Sequence, residues 1–183
     1  ILNGKNMGLM ALEEHFTKEL LESQRRREGV IIRFDEDMFW LNSTFDNYKI
    51  AKVTPFRSGK VKRSNKLSAD LAIAKSLLKG FVRGHLKPSE VFDPDLMGKF
   101  IAVADVWGSD HVLRWHNMRF YYNPITTLLE PIGFDAHLRG EEIDVPYALE
   151  EPIVSAILEG DPAIKSVYQN TIERLAHEIE EED

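Results

Sequence analysis

The sequence predicts an α+β fold that is rich in helices. Several segments repeat apolar residues every three or four positions, which is the period of a helix with one buried face. Three short runs rich in β-branched or aromatic residues are typical of strands. A chain of 183 residues, 43% of them hydrophobic, suits one domain over residues 1–183 with a substantial core.

The first quarter of the chain is predicted to hold a helix and a buried strand. Asn3-Gly4 favours a tight turn, so we expect a hairpin near the start. Apolar residues spaced by four predict a helix over 9–27, and the β-branched run over 30–34 predicts a buried strand. We expect the acidic and aromatic stretch 35–48 to be irregular.

The middle of the chain contains the clearest helix start. We expect the basic, polar stretch 55–65 to be a mobile loop, followed by a helix over 68–81. Asp93-Pro94 predicts the start of the next helix, because aspartate accepts hydrogen bonds from free backbone amides and proline is tolerated in the first turn. The remaining predicted elements are an irregular connection over 109–115, strands over 118–122 and 128–134, and helices over 149–158 and 162–180.

Composition and charge exclude several classes of protein. No cysteine is present, which excludes disulfides, thiolate metal sites and a cysteine nucleophile. The net charge of −7 argues against a general nucleic-acid binder, and no apolar run is long enough for a membrane span. No signal-peptide pattern is present. Because the chain begins at Ile1 rather than at a methionine, we expect it to be a fragment or a processed product.

The strands at 118–122 and 128–134 form a predicted hairpin that brings polar side chains together. Asn117 precedes the first strand and Asp135 follows the second, so both should lie at the open end of the hairpin. Asp110 leads into that same end. Carboxylate and amide oxygens are the ligands that Mg²⁺ prefers, and a further aspartate could accept a proton from an attacking hydroxyl. This combination is typical of phosphoryl transfer, whereas Asx turns at the hairpin ends are the alternative interpretation.

Three stretches around this hairpin carry a resemblance to a known family. They are Asp110-His111, the run from Trp115 to Pro124, and the run from Glu130 to Asp135. Together with weaker blocks between residues 3 and 37, they resemble the CotH family of spore-coat and secreted atypical protein kinases. The resemblance covers most of residues 1–140.

The resemblance implies a minimal protein-kinase-like fold, mainly the C-lobe, in which the β-hairpin carries the metal site. It implies ATP and Mg²⁺ as cofactors, with Mn²⁺ as an alternative ion, and a serine or threonine of a partner protein as the acceptor. Strands that cover the nucleotide would lie upstream of Ile1, so activity is expected of the intact protein. The family favours a bacterial extracytoplasmic or spore-coat setting.

Carried over residue by residue, the resemblance assigns roles to four positions. Asp110 matches the catalytic aspartate, and Asn117 and Asp135 match the metal ligands. Glu14 matches a glutamate that pairs with a nucleotide-binding basic residue. The interval from Asp110 to Asn117 is longer than in many family members, and the second acid that often follows the metal site is absent. These departures leave open whether Asp110 or Asp105 is the base.

Two further residues are candidates for contacting the phosphates of a nucleotide. Arg119 could donate paired hydrogen bonds to phosphate oxygens, with an ordinary surface ion pair as the alternative. His116 is expected to orient Asn117 or to contact a phosphate. Imidazole is also a good metal ligand. A transition-metal site is therefore another alternative, built from His111, His116, His137 and Asp135.

The leading hypothesis is an atypical protein kinase that transfers the γ-phosphoryl group of ATP to serine or threonine of a partner protein. A non-catalytic structural or surface-assembly module with a kinase-like fold is the first alternative. A metal-dependent phosphohydrolase built on the same acids is the second. No glycine-rich phosphate loop of the Walker or dinucleotide type is present, so a nucleotide would be held in another way.

Overall fold

A computed structural model describes residues 15–41, 47–136 and 149–182 and shows the mixed α+β fold that the sequence predicts. The described strands are β1 (Ile31–Phe34), β2 (Val53–Pro55), β3 (Arg119–Tyr122) and β4 (Leu129–Ile132). They form one antiparallel sheet in the order β2-β1-β3-β4.

Helices make up most of the remaining described chain. They are α1 (Lys18–Ser23), α2 (Asp37–Leu41), α3 (Ser58–Arg63), α4 (Asn65–Val82), α5 (Pro88–Val91), α6 (Pro94–Val106), α7 (Asp110–Leu113), α8 (Pro152–Gly160) and α9 (Pro162–Glu182). None of these described helices is long and apolar enough to cross a membrane.

Strand periodicity divides the side chains of the sheet between its two faces. β1 pairs with β3 so that Ile32 lies opposite Phe120, and both side chains are buried in the main core. The adjacent pair, Ile31 and Tyr121, forms a smaller apolar cluster with Leu21 of α1 on the second face. Successive side chains of a strand alternate between faces, which is why the same two strands contribute to both clusters.

The main core lies between the first face of the sheet and the longer helices. Its fully buried members include Leu78, Met97, Ile101, Ile157 and Ile164. Gly98 lets α6 approach α9 closely, because a Cβ atom at this position would lie only 2.7 Å from the Val167 side chain. The two helices therefore pack as one layer behind the sheet.

The two middle helices are present, although α4 begins three residues before the predicted start at 68. α4 begins after Ser64, whose side chain accepts from the Leu67 amide at 3.3 Å. α6 begins after Asp93, whose Oδ1 accepts from the Leu96 amide at 3.0 Å. Capping of this kind uses residues three positions apart in the chain, so the sequence is sufficient to predict it.

The helix expected over 9–27 is shorter than predicted. Within the described residues it is helical only over Lys18–Ser23. Arg25 then adopts a left-handed φ of 55°, and the Arg26 amide donates to the Leu21 carbonyl at 2.7 Å. This arrangement ends a helix, but it usually uses glycine, so an arginine at that position gives no signal in the sequence.

The basic stretch 55–65, expected to be a loop, is largely helical. It contains α3, and Val61 of this helix is buried in the main core. Short helices also replace predicted irregular structure at 37–41 and 110–113. These three helices have four to six residues each, which is too short for an apolar period to be recognised.

The predicted hairpin is present, and its register differs from the expected one by a single residue. β3 pairs with β4 in antiparallel orientation, with Arg119 opposite Ile132. Continuing this register by two residues puts Asn117 opposite Phe134, one position before Asp135. The two candidate metal ligands therefore still leave the hairpin at the same end.

Candidate functional site

The open end of the β3–β4 hairpin borders a cleft of about 510 Å³, which we call the hairpin cleft. Its walls come from the ends of the hairpin, from β1 with α2, and from residues that precede α1. The residues that line it are His15, Phe16, Arg33, Glu36, Trp40, Phe56, Asn117, Arg119, Phe134 and Asp135. Guanidinium, carboxylate, amide and aromatic groups therefore meet in one open space.

Asn117 and Asp135 line the hairpin cleft from opposite arms of the hairpin. Asn117 is 4% exposed, whereas the side chain of Asp135 is 42% exposed. Asp135 has a left-handed φ of 56°, a conformation that aspartate tolerates better than most residues. The cleft thus presents an accessible carboxylate next to a buried amide.

His111 joins these two side chains. Its Nδ1 lies 2.9 Å from Asp135 Oδ2 and 3.2 Å from Asn117 Nδ2, and its carbonyl oxygen accepts from the same Nδ2 at 2.9 Å. A protonated Nδ1 donates to Asp135, whereas an unprotonated Nδ1 accepts from Asn117. Since the amide nitrogen of Asn117 is directed at His111, its amide oxygen is the atom that could serve a ligand.

Asp110 is not among the residues that line the hairpin cleft. It is the first residue of α7, it is 7% exposed, and its carboxylate lies 3.4 Å from the Arg114 guanidinium. Arg114 also lies 3.8 Å from Glu151. The structure therefore brings Asn117 and Asp135 to one cleft and places Asp110 outside it, in a half-buried ion pair with Arg114.

Asp105, the alternative base, connects two helices. It is buried on α6, and the Tyr168 hydroxyl of α9 donates to its Oδ2 at 2.6 Å. Burial and the hydrogen bond to Asp105 raise the pKa of Tyr168. Because this bond joins the layer formed by α6 and α9, the geometry favours a structural role for Asp105.

Arg119 is the most deeply buried cation of the hairpin cleft, at 3% exposure. One guanidinium nitrogen donates to the His116 carbonyl at 2.5 Å, and the group lies 4.5 Å from the Phe134 ring centroid. Burial lowers the pKa of Arg119 to about 10, although the Glu36 carboxylate counteracts the shift. Within the described residues the buried Nε of Arg119 has no hydrogen-bond partner.

Arg33 and Glu36 were missed as functional candidates by sequence reasoning. Arg33 donates to Glu36 Oε1 at 2.7 Å, and the Trp40 indole donates to the other carboxylate oxygen at 3.1 Å. Glu36 Oε1 also lies 4.0 Å from the Arg119 guanidinium. A lone arginine within an apolar strand was the available signal, but its meaning depends on the pairing of β1 with β3.

His116 contributes to the hairpin cleft through its backbone. Its imidazole is buried and stacks on Phe39, with ring centroids 4.7 Å apart and an interplanar angle of 16°. The ring is not among the groups that line the cleft, whereas its carbonyl oxygen holds the Arg119 side chain. The geometry thus connects His116 to Arg119 rather than directly to a ligand.

The described residues offer a metal ion few protein ligands. Glu14, His137 and the Asn3-Gly4 turn lie outside the described residues. Among the described ones, no group of three or more His, Cys, Asp or Glu side chains could hold a metal ion. Mg²⁺ usually binds through one or two carboxylates plus waters and substrate phosphates, so the Asp135 carboxylate and the Asn117 amide oxygen fit that type of site.

Comparison with known proteins adds no assignment: no family model, no curated protein and no solved structure matches the chain. The resemblance to the CotH kinases therefore stays a prediction.

Proposed function

We propose that this protein is an atypical protein kinase that uses Mg²⁺ and ATP to phosphorylate serine or threonine of a partner protein. The observation that supports the proposal is the hairpin cleft. It presents an amide and a carboxylate from opposite arms of one hairpin beside a buried guanidinium. Phosphoryl transfer needs groups of these kinds, because its catalysis consists mainly of positioning and charge stabilisation.

In this proposal Asp135 and the Asn117 amide oxygen would hold Mg²⁺. The bound ion would neutralise charge on the phosphate oxygens. Arg119 lines the cleft and donates to a phosphate oxygen through its guanidinium group. His111 is a positioning residue, since its ring and carbonyl orient the Asn117 amide and its ring contacts the Asp135 carboxylate.

Asp110 is the candidate base that accepts the proton of the attacking hydroxyl. It directly precedes His111 in the chain, and the alternative Asp105 is engaged by Tyr168. The ion pair with Arg114 keeps the Asp110 carboxylate oriented. For the base to reach the acceptor, this ion pair must open or the hydroxyl must enter next to it, because Asp110 is buried.

The test measures transfer of labelled phosphate from ATP to an acceptor protein. Asp135→Asn keeps the size of the side chain and removes its charge, so we expect transfer to fall by ~100-fold or more. Asp95→Asn is the matched control, since Asp95 is an exposed aspartate of α6 that pairs with Lys99. Equal transfer by the wild type and Asp135→Asn would remove Asp135 from the proposed role.

The same assay separates the kinase from the phosphohydrolase. A kinase places the label on the acceptor protein, whereas a phosphohydrolase releases it as free phosphate whether or not the acceptor is present. Release of free phosphate alone, with the same dependence on Asp135, would replace the proposed reaction by hydrolysis.

One observation favours a second function, that of a non-catalytic assembly module. The predicted base and the two predicted metal ligands each already have a partner within the chain: Arg114 for Asp110, and His111 for Asn117 and Asp135. A scaffold would keep these internal contacts permanently. Calorimetry with ATP and Mg²⁺ distinguishes the two functions, because a scaffold shows no metal-dependent binding of the nucleotide.

A further inference from the structure

Two arginines face each other on the floor of the hairpin cleft. Arg33 of β1 and Arg119 of β3 are directly opposite in the antiparallel register, and both line the cleft. Their guanidinium carbons lie 5.4 Å and 5.7 Å from the centroid of the same ring, Phe56. Like charges directly opposite each other destabilise a sheet, so this pair needs a compensating anion.

Two carboxylates, Glu36 and Asp135, line the cleft with the arginines, and of these only Glu36 forms an ion pair with them. Glu36 serves both arginines, at 2.7 Å from Arg33 and 4.0 Å from Arg119. Asp135 acts on Arg119 only at longer range. A guanidinium that is 97% buried while its Nε lacks a partner loses hydration without full replacement. An oxyanion in the cleft would give both arginines a further acceptor, because both side chains line it.

We propose that Arg33 and Arg119 form an oxyanion site that takes a phosphoryl group without a metal ion, and that Glu36 occupies this site when the ligand is absent. The two negative charges of a phosphate dianion balance the positive charges of two guanidinium groups. Its oxygens can accept paired hydrogen bonds from their forked N–H donors. The inference deepens the proposed function and rests on it for the identity of the ligand, which is a phosphate group of a nucleotide or free phosphate.

The role of Glu36 follows from its position between the arginines. Its carboxylate accepts from Arg33 and from the Trp40 indole, so it holds the arginine in the cleft. The same charge repels an incoming anion and competes with it for the guanidinium groups. Glu36→Gln keeps an acceptor oxygen and removes the charge, so the two effects can be separated.

The experiment is calorimetric titration of the protein with inorganic phosphate and, separately, with ATP, both with EDTA and at constant ionic strength. The wild type is expected to bind both ligands saturably, and sulfate should compete. Arg33→Gln should weaken binding by ~10-fold or more, because it removes hydrogen bonds from a charged donor. Arg33 is suited to substitution because its side chain is 32% exposed.

Glu36→Gln should instead tighten binding by about threefold or more, because a like charge is removed near the ligand. Affinity changes of opposite sign for Arg33→Gln and Glu36→Gln distinguish a binding site from general damage to the fold, which would weaken binding in both variants. Arg174→Gln is the matched control for lost positive charge, since Arg174 lies on α9 and does not line the cleft. It should leave both affinities unchanged.

Three outcomes would overturn the inference. They are absence of metal-free binding, an Arg33→Gln variant that binds like the wild type, and a Glu36→Gln variant that weakens binding as Arg33→Gln does. Tighter binding of ATP than of phosphate identifies the nucleotide as the source of the group, and equal binding identifies free phosphate. Metal-free binding without any phosphate transfer would retain the oxyanion site while removing the kinase proposal, so the two failures are distinguishable.

Discussion

Two pairs of residues on the second face of the sheet lie side by side and have opposite environments. Ile31 faces Tyr121, and two residues further along the same strands Arg33 faces Arg119. α1 covers the first pair through Leu21, whereas the second pair borders the open hairpin cleft. Burial of apolar surface stabilises the first pair, whereas the second places a buried guanidinium, that of Arg119, opposite the half-buried one of Arg33.

The largest expected difference is in how much the free energy of unfolding falls when one side chain of each pair is replaced by alanine. Tyr121→Ala should lower the free energy of unfolding by about 3 kcal/mol, because it leaves a cavity beneath α1. Arg33→Ala should change it by less than about 1 kcal/mol, since the loss of its bond to Glu36 is offset by relief of repulsion. Urea unfolding followed by circular dichroism measures both. Similar losses for the two variants would contradict the comparison.

Alkaline pH should lower the free energy of unfolding through ionisation of Tyr121, a member of the apolar pair. Burial, with the Glu130 charge adding to it, raises the pKa of Tyr121 from 10.0 to about 12. The unfolded chain therefore loses this proton before the folded chain does, and the free energy of unfolding falls as pH rises between these values.

Tyr121→Phe removes this ionisation, so about 2 kcal/mol of the alkaline loss of stability should disappear. At neutral pH the variant should be about 1 kcal/mol less stable, because the hydrogen bond from Tyr121 to the Arg27 carbonyl is lost. Urea unfolding at a series of pH values checks both effects. If wild type and variant lose stability in parallel above pH 10, Tyr121 is not the responsible group.

The smallest expected effect is a change in the free energy of unfolding that has opposite signs for Arg119 and Arg26, which lie at the two ends of the second face of the sheet. Arg119→Met should raise the free energy of unfolding by about 1 kcal/mol, because relief of the repulsion from Arg33 across the strand pair outweighs loss of the bond to the His116 carbonyl. Arg26→Met should lower it, because Arg26 lies 2.8 Å from the buried Glu130 carboxylate and its loss leaves that charge without its counter-ion. Thermal unfolding of the two variants checks the signs, and destabilisation by Arg119→Met would show that the arginine pair is structural.

The sequence was sufficient wherever the deciding residues are neighbours in the chain. The cap at Asp93 and the turn after Tyr122 were predicted, because each depends on a few consecutive residues. The end of α1 was not, because Arg25 occupies a left-handed conformation that arginine seldom adopts. α3 was also missed, since its only apolar anchor in the core is Val61.

In the candidate site, too, local contacts were predicted and long-range contacts were not. Asn117 and Asp135 were predicted to lie at one end because a hairpin places them there by local pairing. Arg33 and Glu36 were not predicted, because they reach Arg119 only through a strand pair between distant parts of the chain. His116 was expected to orient Asn117 or to contact a phosphate; the packing of its ring on Phe39 was not predicted, because that contact depends on α2.

By itself the sequence determined the α+β class, the longer helices and the hairpin with its polar end, since these follow from periodicity and local capping. The tertiary structure alone decided that β1 pairs with β3. That pairing places two arginines beside one carboxylate and leaves a buried guanidinium nitrogen without a partner among the described residues. Long-range pairing depends on how all the apolar faces are buried together, which no single segment of the sequence encodes.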